Sequence, residues 1–309
     1  MITVFTPTYN RAHLLPRLFA SLCEQESKCF EWLVIDDGSE DDTECLFAEW
    51  TKLDVGFSVR YKKVKNGGKQ RAINMALDMV DGDYFFIVDS DDCLKADAIS
   101  FICHAFETLP DDDSFIGISM VKGDMNGNPL FRIPKIDHSV GYVDCNNIDR
   151  YKYGLQADMA EVFFTSKLKM YRFPVWRGET FTPEAVVWDK IAMDGYKLRW
   201  FDKVGYLCEY QNEGLTNSTL KLLKCNPMGY AMLFNTQLAV NDYKKRNSDY
   251  SAHGMCWTFN IVMQFVSCCS LAREYAFLKN CKSKLVWLFL FPGLCLGIRR
   301  YLQICKYCK

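Results

Sequence analysis

An α/β domain with a mostly parallel central sheet flanked by helices, followed by a helical C-terminal extension, is the fold class predicted for this chain of 309 residues. Three observations predict it. Short, continuous apolar runs alternate with helical patterns through the first hundred residues, as in βαβ units whose strands are buried on both faces. Each apolar run ends in a polar cluster, and open α/β sheets bind ligands beyond the carboxyl ends of their strands. From about residue 226 onward the strand signals stop and helical periodicity takes over.

The elements follow in order. Ile2 to Thr6 is a β-branched and aromatic run closed by Pro7 and the polar Tyr9, Asn10 and Arg11. Leu14, Leu15, Leu18, Phe19 and Leu22 then recur at helical spacing. Trp32 to Ile35 is a buried strand ending in Asp36-Asp37-Gly38-Ser39, from which a helix starts between Ser39 and Thr43. Ala72, Ile73, Ala76, Leu77 and Val80 form the next helix face, Gly82-Asp83 the turn, and Tyr84 to Val88 the third strand. Asp111 to Asp113 and Gly123 to Pro129 read as loops. A helix is expected near 184–193, a strand near 197–201, and long helices over Met228–Tyr243 and 252–279. Leu285 to Ile298 is an uncharged run of 14 residues interrupted by Pro292-Gly293. A bilayer crossing needs about 20 apolar residues, so this run is too short to span as a straight helix. The expected organisation is a domain over 1–225, with halves 1–100 and 101–225, and an extension over 226–309.

With 37 basic and 38 acidic side chains and 49% hydrophobic residues, the chain is neither disordered nor held to nucleic acid by a large positive field. The balance is uneven, however. Residues 1–120 carry 11 basic and 22 acidic groups, and the last 70 carry 11 and 3. Fifteen irregularly spaced cysteines and a start without a secretory pattern point to a reducing, cytoplasmic setting.

Four clusters carry chemistry. Asp89-Ser90-Asp91-Asp92 ends an apolar strand; three carboxylates this close suit Mg²⁺ or Mn²⁺ shared with phosphate oxygens, or form a solvated helix cap. Asp36-Asp37-Gly38-Ser39 suits hydrogen bonds from a base or ribose, or is a plain Asp-Gly turn. Gly67-Gly68-Lys69-Gln70-Arg71 fails the P-loop spacing, yet Lys69 and Arg71 are placed to meet a diphosphate. Pro183 at a helix start puts Glu184 in the first turn, as a general base or as a carboxylate complementing the helix dipole. Neither a G-x-S-x-G elbow nor an H-E-x-x-H pair occurs, and Cys305 and Cys308 lack the second pair a zinc site needs.

In this order, Thr6-Pro-Thr-Tyr-Asn-Arg11, Val34-Ile-Asp-Asp-Gly-Ser39, Asn66 to Asn74 and Asp89-Ser-Asp-Asp92 resemble the family-2 inverting glycosyltransferases. A looser resemblance continues through Gly178 to Glu184, Trp188, and Glu209 to Thr216. The resemblance implies a Rossmann-like nucleotide-sugar transferase domain of GT-A type. It implies that Pro7, Thr8, Tyr9 and Asp37 contact the nucleoside and that Asp36 supports the loop. Lys69 and Arg71 would lie near the diphosphate. Asp89 and Asp91 would form the D-x-D pair about Ser90, with Asp91 the metal ligand and Asp89 also reaching ribose or sugar. Glu184 falls where family members carry the Asp of a Glu-Asp pair that acts as base; here Pro183-Glu184 replaces it. The implied reaction moves a hexosyl or N-acetylhexosaminyl group from a UDP-sugar to a glycan or lipid-linked acceptor in cell-surface polysaccharide synthesis, with Mn²⁺ or Mg²⁺. A nucleotide-sugar-binding module without catalysis and a metal-dependent nucleotidyltransferase are the alternatives. Lys279, Lys282, Lys284, Arg299, Arg300, Lys306 and Lys309 flank the 285–298 run, which predicts peripheral attachment at the inner membrane face, or else a core-packing helix pair or an oligomer contact.

Overall fold

The structure is a computed structural model. It describes all residues except 81, 132–135, 138, 210–218 and 308–309, and not the side chains of 219, 220, 301 and 303–307. The chain forms two compact units, Met1–Arg172 with Asp194–Tyr210, and Phe173–Met193 with Gln211–Lys309.

The first unit is built on β1 (Ile2–Thr8), β2 (Phe30–Asp36), β3 (Ser58–Lys63), β4 (Tyr84–Ile87), β5 (Cys93–Leu94), β6 (Phe115–Gly123), β7 (Tyr142–Cys145), β8 (Met159–Phe164) and β9 (Lys197–Leu207). These strands of the described residues form one sheet in the order β3-β2-β1-β4-β8-β6-β9-β5, with β7 on β9. The run β3-β2-β1-β4 is parallel throughout, as the alternating pattern predicts. Beyond it the sheet is mixed: β6 and β9 are parallel, and β4–β8, β6–β8, β5–β9 and β7–β9 are antiparallel. The helices are α1 (Leu15–Cys23), α2 (Thr43–Trp50), α3 (Lys69–Met79), α4 (Ala98–Glu107) and the short α5 (Thr165–Leu168). Leu15, Leu18 and Leu22 of α1, Phe47 and Trp50 of α2, and Ile99, Ile102 and Phe106 of α4 join Val4, Trp32, Val34 and Phe86 in one core.

β3, β5, β6, β7 and β8 went unread, and for two of them the physical reason is plain. β3 is Ser-Val-Arg-Tyr-Lys-Lys, a half-exposed edge strand whose charges hide its period and blunt the edge. β6 is buried along its whole length but sits between the two acidic loops, with Gly117 and Gly123 thinning its apolar signal. The helix expected to start between Ser39 and Thr43 begins at Thr43, because Asp36 and Asn10 hold Ser39 and Glu40 in a turn.

The second unit contains α6 (Ala185–Met193), α7 (Thr219–Cys225), α8 (Pro227–Arg246), α9 (Met255–Ala272) and α10 (Leu290–Tyr307). Residue 225, the expected boundary, lies inside this unit, which also takes 173–193 because α6 packs on α8. The 252–279 segment is not one helix. It stops where Arg273 turns left-handed (φ 59°), and a 3₁₀ turn follows over Tyr275–Asn280. Pro292-Gly293 does not break the tail, since α10 starts at Leu290 and Pro292 falls in its first turn, where a missing N–H costs little. A Cβ on Gly293 would lie 2.5 Å from Val266 Cβ, and one on Gly297 2.9 Å from Ser270 Cβ, so α10 approaches α9 through its glycines. α9 is the described helix long and apolar enough to cross a membrane by length and composition, and Ile261, Val262, Phe265, Val266, Cys268 and Cys269 on it are core residues.

In the first unit a Cβ on Gly117 would sit 2.0 Å from the Val162 carbonyl oxygen of the paired strand. Gly117→Ala is therefore expected to cost about 1–3 kcal/mol of stability, measured by urea unfolding, while Gly127→Ala, with only the Lys95 Nζ at 3.8 Å, tests for the milder effect of its positive φ alone.

Candidate active site

Parallel register aligns the strand ends. Thr8 of β1 pairs with Asp36 of β2, and Phe5 pairs with Ile87 of β4, so Pro7–Asn10, Asp36–Glu40 and Val88–Asp92 emerge on one edge of the first unit. The backbone N–H of Asp37 donates to the Thr8 carbonyl (2.8 Å), and that of Val88 to the Phe5 carbonyl (2.8 Å). The first two loops are laced further: Asn10 N–H donates to Ser39 Oγ (2.8 Å), Glu40 N–H to Asn10 Oδ1 (2.8 Å), and Ala12 N–H to Asp41 Oδ2 (2.8 Å).

Asp36 is fully buried and accepts from Ser39 N–H (2.8 Å) and the Tyr61 hydroxyl (2.5 Å), which ties the turn after β2 and a tyrosine of β3 to one carboxylate. Burial and the neighbouring Asp36 carboxylate push the Tyr61 hydroxyl far above its usual value. Asp37 is also buried. Its two oxygens accept from Gly67 N–H and Gly68 N–H, each at 2.7 Å, which fastens the loop before α3 to the end of β2. Such charge-assisted bonds contribute about 1.5–3 kcal/mol each. Burial pushes the Asp37 carboxyl up, against the lowering effect of the Gly68 and Gly67 N–H groups. Gly38 holds φ +85°, and a Cβ there would meet Asn66 N at 3.0 Å, which is why glycine occupies the turn. Pro7 is half-buried, Tyr9 is 47% exposed, and the buried Thr8 Oγ1 has no hydrogen-bond partner among the described residues.

Lys69 and Arg71 lie in the first turn of α3. Lys69 Nζ donates to Asp89 Oδ1 (2.7 Å), and the Arg71 guanidinium donates to the Gly67 carbonyl. Asp89 is half-buried; burial raises its carboxyl, but Lys69 and Lys122 outweigh that and hold it below the usual range. Asp92 is buried and pushed up to about 7 by burial and by repulsion from Asp89, against a 2.6 Å hydrogen bond from the Tyr206 hydroxyl. The same hydroxyl accepts from Asp89 N–H (3.0 Å), so one tyrosine on β9 anchors both ends of the acidic turn. Lys122 ion-pairs with Asp158 (2.7 Å) and lies 4.6 Å from the centre of the Tyr206 ring. Arg17 binds the Asp91 carbonyl (2.5 Å) and the Glu209 carboxylate (2.6 Å). Ser90 is buried between the two acids. The Asp91 carboxylate itself accepts no hydrogen bond and makes no ion pair among the described residues.

No group of three His, Cys, Asp or Glu side chains arranged for a metal ion occurs among the described residues. Asp91, with Asp89 beside it, nevertheless fits a divalent ion held by one or two carboxylates and completed by phosphate oxygens and water. Tyr61, Lys122 and Tyr206 escaped sequence reasoning, because nothing local marks a residue that acts across the sheet.

Glu184 belongs to the second unit. It directly precedes α6, one position before the first turn in which the Pro183 signal places it, and its carbonyl accepts from Val187 N–H (2.8 Å) and Trp188 N–H (3.1 Å). The segment leading to it is fastened by side chains that the sequence did not single out. Buried Glu179 accepts from Met228 N–H (2.7 Å) and Gly229 N–H (2.9 Å) at the start of α8. Buried Asn226 returns the arrangement, accepting from Thr180 N–H (2.8 Å) and Phe181 N–H (2.9 Å). Trp188 packs edge-on against Phe173 at 5.7 Å. Tyr210 to Thr216, part of the looser resemblance, lie outside the described residues, as do Cys308 and Lys309.

Asp37→Asn turns one acceptor into a donor that faces a backbone N–H. Its expected cost is about 1–3 kcal/mol, read from the urea midpoint, with faster amide exchange at Gly67 and Gly68. Unchanged exchange at those two glycines would show that Asp37 does not hold the loop.

Solved structures share this fold. TarS residues 1–349 of S. aureus, in complex with UDP-GlcNAc, matches with a TM-score of 0.61 at 17% identity, over 97% of this chain and 89% of that one. PcManGT, a mannosyltransferase from Pyrobaculum calidifontis in complex with GDP-Man and Mn²⁺, matches with a TM-score of 0.51 at 17% identity, over 96% and 80%. Among curated proteins, one named as the teichuronic acid biosynthesis glycosyltransferase TuaG of Bacillus subtilis (strain 168) is 29% identical over 144 residues, 47% of this chain and 56% of its own length. The GalNAc(5)-diNAcBac-PP-undecaprenol beta-1,3-glucosyltransferase of Campylobacter jejuni is 34% identical over 103 residues, 32% of each chain. The chain thus spans about half the length of the first relative and a third of the second. A model of the family described as Glycosyl transferase family 2 matches residues 3–175, which hold the three aligned strand ends and both acidic clusters. That match takes in more than half of the sequence, and the chain belongs to glycosyl transferase family 2.

Proposed function

We propose that this chain is an inverting glycosyltransferase that moves a hexosyl or N-acetylhexosaminyl group from a UDP-sugar to a hydroxyl of a glycan or lipid-linked acceptor. The proposed setting is cell-surface polysaccharide synthesis at the cytoplasmic face of the membrane. The observation that carries the reading is the Asp91 carboxylate, without protein partners among the described residues, beside the Lys69–Asp89 pair on the edge where three strands end. A row of carboxylates in that position is costly without a cation, and a nucleoside diphosphate offers the oxygens that complete its coordination. The names of the relatives, one of teichuronic acid synthesis and one acting on an undecaprenol-linked glycan, support the acceptor class. UDP-GlcNAc bound to TarS supports the donor class.

In this reading Asp91, helped by Asp89, holds Mn²⁺ or Mg²⁺, which when bound supplies positive charge against the leaving diphosphate. Lys69 and Arg71 add fixed positive charge to the same phosphates, and Pro7, Thr8 and Tyr9 bind the nucleoside. Ser90 lines the donor side between the two acids. Glu184 accepts the acceptor hydroxyl proton as the new glycosidic bond forms and the bond to the diphosphate breaks. One displacement from the opposite face inverts the anomeric centre, so no sugar–enzyme intermediate forms. A positioned base of this kind contributes about 10²–10⁴-fold.

A panel of nucleotide sugars with the purified chain tests the reaction class. Transfer releases a nucleoside diphosphate, nucleotidyl transfer would release pyrophosphate, and a binding module would release neither. Asp91→Ala is expected to abolish transfer and metal dependence with the fold intact by circular dichroism; full Mn²⁺-dependent activity in that variant would remove its metal role. Glu184→Gln is expected to keep donor affinity while kcat falls by about 10²–10⁴-fold, and wild-type turnover would remove it as the base.

A further inference from the structure

The second unit presents an apolar face that its own core does not use. On α10 the packed side is set by Gly293 and Gly297 against α9, together with Arg300, whose guanidinium donates to Ser267 Oγ (3.0 Å) and Gln264 Oε1. Phe291, Cys295, Ile298 and Leu302 recur at helical spacing on the other side and are exposed, Phe291 to 76%. Leu288 and Trp287, just before the helix, are exposed with them. Within the 285–298 run Phe289 is half-buried and stacked on Phe259 at 4.7 Å, so the anchoring set is a helix face rather than the whole run. A contiguous exposed apolar surface of this kind marks an interaction site.

We propose that this face of α10 lies in the plane of a membrane interface and binds the surface of an anionic phospholipid bilayer. The charge around it selects that occupant. Lys282, Lys284 and Arg299 are exposed beside the apolar residues, and from Tyr275 to Lys309 the sequence has seven cations and no carboxylate side chain. Two copies packed through this face would bring those cations together, whereas acidic headgroups neutralise them, each by about 1 kcal/mol. The geometry selects the mode. Leu290 to Leu302 covers about 18 Å of helix, short of the roughly 30 Å hydrocarbon core, and the opposite side of α10 is committed to α9. The helix therefore rests in the interface, its apolar side chains among the upper acyl chains and Trp287 at the headgroup level. This attachment is independent of the transfer chemistry, and its test needs no turnover.

The full chain is sedimented with phosphatidylcholine vesicles with and without phosphatidylglycerol. Wild type is expected to pellet with the anionic vesicles and to be released by high salt. Phe291→Glu combined with Ile298→Glu should lower the partition coefficient by about a hundredfold, with an unchanged melting curve because both positions are exposed. Lys282→Gln, Lys284→Gln and Arg299→Gln together should remove most of the preference for anionic lipid, about tenfold or more, and provide the reading should the double variant fail to fold. Wild type left in the supernatant with anionic vesicles overturns the proposal. So does a concentration-dependent dimer, seen by size exclusion without lipid and abolished by the double substitution, because the face would then belong to a second copy.

Discussion

The parallel register of β1 between β2 and β4 is the constraint on which the site depends. Because Ile2 pairs with Phe30 on one side and Tyr84 on the other, three polar clusters far apart in sequence finish on one edge. A shift of one residue in either pairing would exchange the two buried faces of β1, and the packing of Val4 with Trp32, Val34 and Phe86 resists it. Hydrophobic packing thus fixes the positions of carboxylates that it never touches. The Asp37 bonds to Gly67 and Gly68 extend that order to a fourth segment, the loop that delivers Lys69 and Arg71.

The acidic half of the chain shows how like charges are kept together without unfolding the edge they share. Each carboxylate is met by a different device. Asp36 has Tyr61 and Ser39, Asp37 has two backbone N–H groups, Asp89 has Lys69, and Asp92 has Tyr206. Of the five aspartates in the two acidic clusters, Asp91 is the one whose carboxylate has no partner among the described residues. An arrangement that satisfies four of these acids internally and leaves the fifth half-buried without a protein partner concentrates the remaining demand for positive charge at one side chain.

The parts of this fold that were legible in the sequence are those whose signal is local. β1, β2 and β4 are continuous apolar runs, and the turns after them carry their own acids, so both the strands and the edge could be read directly. The pattern failed where burial and charge part company. β3 is charged because it lies at the edge, and β6 is apolar but interrupted by glycines that its neighbours require. The residues that position the site were the least legible. Tyr206 meets Asp89 across 117 positions of sequence, and Glu179 and Asn226 hold the approach to Glu184 by binding backbone, which leaves no motif. Asp37 was assigned to the nucleoside by resemblance, and its structural partners are the two glycines, a pairing that depends on where the 64–68 loop returns.

Gly229 shows what such a fastening means for variation. A Cβ at this position would lie 2.3 Å from the Phe181 carbonyl, so the start of α8 and the segment before Glu184 touch backbone to backbone. No rotamer can relieve that contact, because it begins at the first side-chain atom. Codon changes at this glycine, in a helix with no chemistry of its own, therefore act on the loop that carries Glu184. A genetic screen would group them with lesions in the 179–184 segment rather than with lesions elsewhere in α8.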